Sequence, residues 1–343
     1  MQRNIVVIGA SAGGIEALRT IMAGLPSDFP ATVLVVLHLP SYGNSVLPAI
    51  LGRAGRLPAT HPVSGEALRP GRVLVAPADH HLVIEGGRAV LTRGPSENGH
   101  RPAIDVLFRS AARAAGPRVV AVVLSGVLDD GTAGLSAVMA RGGTSIVQDP
   151  KDALYSAMPE NALAHVAVDH VLPAERIAPL LVELCAADNP SADPVDPLDP
   201  PAFLDIDAEV PGLSGTAIDV AGRPGTPSGF SCPDCGGVLW EIHDFDLVRY
   251  RCRVGHAWSA ESLLGQQATQ LDSALWMALR GLEEKAALAR TLADRANERH
   301  SPLSAKRFVE QAGEASRAAK LIRSMLEAGV GIPHVEPETT RME

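Results

Sequence analysis

The chain has 343 residues, of which 46% are hydrophobic, 20% are charged and 3% are aromatic. That length suits about two domains of roughly 100–200 residues, with enough apolar side chains for a substantial core. The formal net charge is −9 and no basic cluster stands out, which argues against nucleic acid or an anionic membrane as the main partner. No apolar stretch approaches the roughly 18 residues of a membrane-spanning helix, so no direct membrane insertion is expected. Four cysteines are too few for a disulfide scaffold, which predicts a cytoplasmic location.

Residues 1–187 alternate between short apolar runs and helix-like stretches. Unbroken aliphatic runs, typical of strands buried on both faces, occur at residues 5–8, 32–37 and 119–124. Helical patterns separate them at 14–25 and 104–115. This alternation predicts an α/β fold with a doubly wound, mostly parallel, Rossmann-like sheet. Glycine and proline pairs between about 57 and 95 predict inserted β-hairpins.

A segment rich in proline and acidic residues follows at 188–229. It carries eight acidic side chains and one basic side chain, and therefore most of the net charge. Such a composition cannot bury a core, which predicts an extended linker. We expect this self-repelling linker to keep the C-terminal part of the chain apart from the first domain.

The C-terminal part begins with a compact block of cysteine, histidine and aromatic residues at 230–258. A helical hairpin is predicted at 259–330 and a disordered tail at 331–343. In the second helix, a heptad seam is formed by Phe308, Ala312, Ala315, Ala319, Ile322 and Leu326. A seam of this kind favours a hairpin that either packs on itself or forms a homodimer through its helices.

The first predicted strand runs into a glycine-rich turn and then a helix. A dinucleotide-binding turn needs glycine where Ser11 stands, and a phosphate-binding loop needs lysine where Ile15 follows Gly14. A third use is a nucleophile elbow, in which Ser11 is exposed on a sharp strand-to-helix turn. A serine here is also a common helix N-cap, so the turn by itself does not show whether Ser11 is a nucleophile or a cap.

Two more strand ends carry chemically active side chains. His38 follows the second strand, and Asp129 and Asp130 follow the apolar run at 119–124. Taken singly, the histidine suits a surface loop and an aspartate suits the cap of the next helix. Because the carboxyl ends of parallel strands meet at one edge of a sheet, the three ends together supply a serine, an imidazole and a carboxylate, the parts of a hydrolase triad. Spacing does not choose between Asp129 and Asp130.

Several motifs occur in an order that closely resembles the catalytic domain of the chemotaxis protein-glutamate methylesterases. They are Ile8-Gly-Ala-Ser-Ala-Gly-Gly, His38-Leu-Pro, Ala76-Pro-Ala-Asp-His-His, His100-Arg-Pro-Ala-Ile-Asp-Val-Leu-Phe and Leu124-Ser-Gly-Val-Leu-Asp-Asp-Gly. The resemblance covers about residues 1–185. It implies a serine hydrolase that demethylates glutamate 5-O-methyl esters on chemoreceptor-like proteins, releasing methanol, and that in many relatives also deamidates glutamine.

The resemblance also assigns roles to single residues. Ser11 would be the nucleophile, His38 the base and Asp130 the orienting carboxylate, and no cofactor takes part. The backbone amides of Ala12 and Val127 would bind the oxyanion. The implied partners are a methyl-accepting chemoreceptor or a related signalling protein, and the cognate methyltransferase.

Two further expectations concern regulation and turnover. Relatives usually carry a phospho-receiver domain before the catalytic domain, whereas this chain starts at the first catalytic strand, so control is expected to lie elsewhere. The alternative function is a catalytically silent scaffold that binds a receptor or a methyltransferase. The presence of Ser11, His38 and Asp130 argues against that alternative.

A second candidate site lies in the block at 230–258. Cys232 and Cys235 form a C-x-x-C pair, and Cys252 is followed four residues later by His256. Three thiolates and an imidazole suit a closed, structural zinc site in a zinc-ribbon-like module. A redox-active cysteine pair, or His243 in place of His256, are the alternatives. Loss of the metal is expected to unfold this block and to leave hydrolysis of a small ester intact.

Overall fold

A computed structural model of the chain describes residues 3–38, 45–186, 225–244 and 247–329. Most of the predicted linker and the whole predicted tail lie outside these residues. The chain divides into two compact units, Met1–Ser262 and Leu263–Glu343. Among the described helices, none combines the length and the apolar character that crossing a bilayer requires.

The first unit contains an α/β domain, residues 3–186. Its strands are β1 (Ile5–Ala10), β2 (Thr32–Leu37), β3 (Ala59–Thr60), β4 (Glu66–Ala67), β5 (Arg72–Val75), β6 (His81–Glu85), β7 (Arg88–Thr92), β8 (Val119–Val123), β9 (Thr144–Gln148) and β10 (His170–Leu172). Seven of these strands form a parallel sheet in the order β10-β9-β8-β1-β2-β5-β3. The predicted parallel sheet is confirmed, and the inserted hairpin strands pair as a small antiparallel sheet, β4-β7-β6.

Helices cover both faces of the parallel sheet. They are α1 (Gly14–Gly24), α2 (Leu47–Ala54), α3 (Ile104–Ala115), α4 (Thr132–Ala140), α5 (Ala157–His165) and α6 (Ala174–Cys185). Alternate residues of a strand pack into the hydrophobic cores on opposite faces of the sheet. In β1, Val6 and Ile8 pack with α1, α2 and α6, whereas Ile5 and Val7 pack with α3, α4 and the small sheet. A strand buried on both faces must be apolar throughout, which is why β1 and β2 are continuous aliphatic runs.

The strand order places a crevice at one edge of the sheet. The chain leaves β1 towards β2 and leaves its neighbour β8 towards β9, in the opposite direction. Connections that diverge in this way open a space beyond the carboxyl ends of the two strands, where doubly wound proteins bind their ligands. Ser11 follows β1 and Asp130 follows β8, so both lie at this switch point.

A four-stranded antiparallel sheet completes the first unit. Its strands, in spatial order, are β11 (Thr226–Ser231), β12 (Val238–Asp244), β13 (Leu247–Cys252) and β14 (Ala257–Ser259). We call residues 226–259 the C-terminal module. Its first strand begins at Thr226, inside the segment that the composition assigns to the linker.

The C-terminal module lies against the α/β domain. Main-chain hydrogen bonds join Asn98 N to Ala257 O at 2.8 Å and Ala257 N to Ser96 O at 3.3 Å. The expectation that the linker holds the module apart is therefore wrong. The position of the module is set by specific hydrogen bonds at its surface, which the charge and composition of the linker sequence do not reveal.

The second unit is a helical hairpin, as the sequence predicts. Helix α7 (Ala260–Glu298) enters it at Leu263 and is followed by α8 (Pro302–Glu327). Small side chains line the buried side of both helices: Ala286, Ala289, Ala293 and Ala296 on α7, and Ala305, Ala312, Ala315 and Ala319 on α8. Arg323 pairs with Glu283 across the hairpin. The alanines of the predicted heptad seam are thus buried inside one chain.

Candidate active site and metal-ligand cluster

Ser11 lies on the tight turn between β1 and α1. Its backbone N–H donates to Ser125 O at 3.0 Å, and its carbonyl accepts from Gly14 N at 3.0 Å. Gly13 has a φ of 71°, a conformation that glycine adopts without a steric penalty. A Cβ at Gly13 would also come within 2.8 Å of Ser125 Oγ. The glycines therefore allow a turn tight enough to present the serine at the edge of the sheet.

His38 joins Ser11 to Asp130. Its Nδ1 lies 3.1 Å from Ser11 Oγ, and its Nε2 lies 2.7 Å from Asp130 Oδ2. With its proton on Nε2, the imidazole donates to the carboxylate and accepts from the serine hydroxyl. The His38 side chain is only 6% exposed. This hydrogen-bonded chain can remove a proton from the hydroxyl as it attacks a carbonyl group.

Asp130 is buried and fully hydrogen-bonded. Besides His38, its carboxylate accepts from Ile104 N at 2.7 Å, Asp105 N at 3.2 Å and Asn98 Nδ2 at 3.0 Å. Two of these donors are the first amides of α3, where the helix dipole also favours an anion. Burial alone would raise the pKa of Asp130, but the hydrogen bond and charge of His38 and the other donors hold it well below its usual value.

The neighbouring carboxylate, Asp129, has other partners. Its Oδ1 accepts from Ser259 Oγ at 2.6 Å and from Ser262 Oγ at 2.8 Å, both in or beside the first turn of α7. Burial raises the pKa of Asp129 to about 6, against the opposing effect of the two hydroxyl donors. The structure thus brings Asp130 to His38 and turns Asp129 towards the C-terminal module.

The backbone amide of Ala12 directly follows Ser11 on the turn between β1 and α1, and the amide of Val127 follows Gly126, where an added Cβ would lie 2.8 Å from Ser11 Cβ. Within the described part of the chain, neither amide donates to an acceptor. Amides left free beside a nucleophile are available to bind a developing oxyanion.

Three polar residues around the triad have roles that the sequence reasoning did not assign. His100 stacks on His38, with ring centroids 3.6 Å apart and an interplanar angle of 13°. Burial lowers the pKa of His100 to about 4, with a smaller effect from the His38 charge, so His100 is neutral near pH 7. Asn98 bonds Asp130, and Asp105 accepts from Gly131 N at 3.0 Å and Gly134 N at 2.6 Å.

Asp105 is the second carboxyl group of this pocket. It is buried beside Asp130, and both burial and that neighbouring carboxylate raise its pKa well above the usual value. Two carboxyl groups in one buried pocket do not ionise equally. His100 and Asp105 belong to the quoted motif that begins at His100, whereas Asn98 lies two residues before that motif. Spacing alone selects none of the three.

The cysteines of the C-terminal module converge with one histidine. Cys232, Cys235, Cys252 and His256 offer ligand atoms that all lie within 4.8 Å of one another. Separations are 3.7 Å from Cys232 Sγ to His256 Nδ1, 3.5 Å from Cys252 Sγ to the same nitrogen, and 3.6 Å from Cys235 Sγ to Cys252 Sγ. Tetrahedral zinc, with Zn–S of about 2.3 Å and Zn–N of about 2.0–2.1 Å, requires ligand separations of about 3.5–3.8 Å. The four residues therefore fit such an ion.

The alternative ligand, His243, is not part of this group. Its side chain is 67% exposed, and its Nε2 lies 3.0 Å from Glu241 Oε1. The four cysteines, all in described segments, form no disulfide bond, and the 3.6 Å between Cys235 Sγ and Cys252 Sγ is far beyond the roughly 2.05 Å of such a bond.

Known proteins resemble the α/β domain. A family model described as CheB methylesterase matches residues 6–181. Protein-glutamate methylesterase/protein-glutamine glutaminase 1 of Anaeromyxobacter dehalogenans is 40% identical over 177 residues, covering 51% of this chain and 50% of that protein. Protein-glutamate methylesterase/protein-glutamine glutaminase 2 of Pseudomonas aeruginosa is 39% identical over 186 residues, covering 53% of each chain. The chain thus spans about half the length of these curated relatives.

A solved structure agrees with the sequence matches. The CheB methylesterase catalytic domain of Thermotoga maritima is 35% identical, with a TM-score of 0.51. The similarity covers 54% of this chain and all of that domain.

Proposed function

The chain belongs to the CheB methylesterase family, and we propose that it is a serine hydrolase that cleaves glutamate 5-O-methyl esters on chemoreceptor-like signalling proteins. One observation carries the proposal: His38 bridges Ser11 Oγ, at 3.1 Å, and Asp130 Oδ2, at 2.7 Å, within the segment that matches the family. Serine hydrolases of unrelated folds are recognised by this arrangement of roles.

The proposed reaction begins when Ser11 Oγ attacks the ester carbonyl and His38 Nδ1 takes the hydroxyl proton. Asp130 stabilises the resulting imidazolium through Nε2–H, and the amides of Ala12 and Val127 bind the oxyanion. The imidazolium then protonates the methoxy oxygen, and methanol leaves. Water, deprotonated by His38, attacks the glutamyl–Ser11 ester, the imidazolium returns that proton to Ser11 Oγ, and the free glutamate carboxylate leaves. With glutamine as substrate the first leaving group is ammonia, and no cofactor enters either reaction.

The partners follow from the substrate. A methylated chemoreceptor or related protein supplies the ester, and a methyltransferase must form that ester beforehand. The free cysteines support a reducing, cytoplasmic setting. Exposed apolar side chains on the helical hairpin, among them Trp276, Met277 and Leu321, support a homodimer through the C-terminal helices.

We also propose that the metal-ligand cluster holds a structural zinc ion. Four protein ligands close the coordination sphere, so the ion stabilises the fold of the module. The support is the match between the observed ligand separations and tetrahedral geometry.

The test of the hydrolase proposal is methanol release from a methylated receptor. Ser11→Ala should lower the rate by roughly four or more orders of magnitude, as removal of a triad nucleophile does. Ser64→Ala is a suitable control, because Ser64 lies in the hairpin region, where its exposed hydroxyl accepts a hydrogen bond from Leu91 N at 3.1 Å. A Ser11→Ala protein that releases methanol at the wild-type rate would overturn the assignment of Ser11 as nucleophile, whereas wild-type protein that releases no methanol would favour the silent scaffold.

A further inference from the structure

One short segment lies between the C-terminal module and the triad. We call residues 96–100 the coupling segment. Its main chain pairs with β14 through the two hydrogen bonds at Ala257, and Glu97 forms a parallel bridge with that residue. The coupling segment is therefore joined by an isolated β-bridge to β14, the edge strand of the module sheet.

A buried charge cluster fixes the same segment. Glu97 is 2% exposed, pairs with Arg109 of α3, and accepts from Arg251 Nη2 of the module at 3.1 Å. A buried carboxylate needs its partners, because a charge left unpaired in the interior is strongly unfavourable. Release of the module would take Arg251 away from Glu97.

The amide of Asn98 connects the module to the triad directly. Its Oδ1 accepts from Ser259 N at 2.8 Å, and its Nδ2 donates to Asp130 Oδ1 at 3.0 Å. The first contact fixes the orientation of the amide, and the second uses that orientation to hold the carboxylate that faces His38.

The next two residues reach the histidine. A Cβ on Gly99 would lie 3.4 Å from Trp258 Cη2, so the indole ring, which is only 1% exposed, backs the segment. His100 then stacks on His38 at 3.6 Å. The coupling segment therefore supports two members of the triad.

The first residue of the coupling segment contacts the part of the module that holds the metal ligands. Ser96 donates to the carboxylate of Asp234, which lies 3.9 Å from His256 Nε2. Asp234 stands between the two cysteines of the C-x-x-C pair, and His256 immediately precedes β14. At 3.9 Å the Asp234 carboxylate is a charged neighbour of His256 and not its hydrogen-bond partner, so the coupling segment reaches the metal ligands through Ser96 and Asp234 by proximity.

We propose that the metal ion bound by Cys232, Cys235, Cys252 and His256 keeps the active site in its working geometry, through the coupling segment. The proposal rests on the proposed hydrolase function and replaces the expectation that metal loss spares the esterase. Without the ion, β14 loses the anchor provided by His256. Asn98 and His100 then no longer hold Asp130 and His38 in place.

The test compares the full chain loaded with Zn²⁺, stripped by a chelator, and reloaded with Zn²⁺. We expect metal removal to lower kcat for p-nitrophenyl acetate by about 10–100-fold, the effect of a small misplacement of catalytic groups, with a much smaller change in KM. Hydrogen exchange at residues 96–105 should rise, and reloading should reverse both changes. Stripped protein with unchanged kcat and unchanged exchange would overturn the proposal.

Three variants distinguish a loss of rate transmitted through the coupling segment from a loss caused by general unfolding. His256→Ala should behave like stripped protein, whereas His243→Ala, a matched histidine in the same module, should keep both the metal and the rate. Asn98→Ala should lose kcat with the metal still bound, and an Asn98→Ala protein with wild-type kcat would overturn the route through the amide. If Ser11→Ala hydrolyses the ester normally, the hydrolase function fails, and the exchange measurement on wild-type protein still decides the coupling.

Discussion

The imidazole rings of His38 and His100 lie in parallel contact, 3.6 Å between centroids. Replacing His100 by alanine leaves one face of His38 without support, and we expect kcat to fall about 10-fold through loss of orientation. His100→Phe should recover much of the rate, because the pKa of about 4 keeps His100 uncharged near neutral pH and a ring suffices. Steady-state kinetics on a small ester measure the effect.

His80→Ala serves as the control for His100, since His80 lies in the same region and its Nδ1 bonds the nearby carbonyl of Ala78. Equal losses in His100→Ala and His100→Phe would show that the polar atoms of His100, and not its stacking, support the rate.

The two adjacent aspartates should differ sharply in their effect on catalysis. Asp130→Asn removes the charge that stabilises the imidazolium, and we expect kcat to fall roughly 10⁴-fold, as in other triads. Asp129→Asn should keep a rate close to wild type, because the amide oxygen can still accept from Ser259 and Ser262. The same ester assay compares both proteins, and comparable losses in the two would contradict the assignment of Asp130.

Asp129 should make the stability of the protein depend on pH. Its pKa is raised to about 6, chiefly by burial, so between about pH 4 and pH 6 the folded state holds a proton that the unfolded state has released. The free energy of unfolding therefore falls as the pH rises through that window, by about 2–3 kcal/mol from this group. Asp129→Asn should remove the contribution.

Denaturant unfolding at pH 4, 5, 6 and 7 measures this difference. Other buried carboxyl groups, such as Asp105, are common to both proteins, so the difference between wild type and Asp129→Asn isolates Asp129. Curves that run parallel across the window would show that Asp129 titrates as an ordinary surface carboxyl.

Gly126 packs directly against the nucleophile. A Cβ at this position would overlap Met158 Sδ and lie 2.8 Å from Ser11 Cβ, so Gly126→Ala should displace Ser11 and lower kcat by about 100-fold. Gly52→Ala is the matched control, because its new Cβ would meet only ordinary contacts at 3.8 Å. A Gly126→Ala protein with normal kinetics would show that Met158 moves aside and the serine does not.

Local patterns predicted much of the fold and of the site. Continuous aliphatic runs marked β1, β2 and β8, because a strand covered on both faces has no polar side. The same strands located Ser11, His38 and the aspartate pair at one edge of the sheet. The two cysteine-containing turns were also visible, since zinc ligands of this type are close in sequence within each turn.

The docking of the C-terminal module could not be predicted in that way. Its contacts join Asn98 to Ser259 and Glu97 to Arg251, pairs that are more than 150 residues apart and separated by a linker whose composition indicated distance. Hydrogen bonds between such remote groups leave no periodic pattern in either segment.

The sequence by itself determined which side chains could form the hydrolase site and the metal cluster, because both depend on residue type at the ends of short local elements. Spacing in the sequence left Asp129 and Asp130 open and the family resemblance assigned Asp130, but only the tertiary structure shows the physical reason for the difference between them. Adjacent residues in a loop have almost the same sequence position but point in different directions, so Asp130 meets the first amides of α3 and Asp129 meets the serines of α7. The same three-dimensional contacts decided that the module supports the active site, because a residue such as Asn98 acquires its role from two partners that its own neighbours in sequence do not reveal.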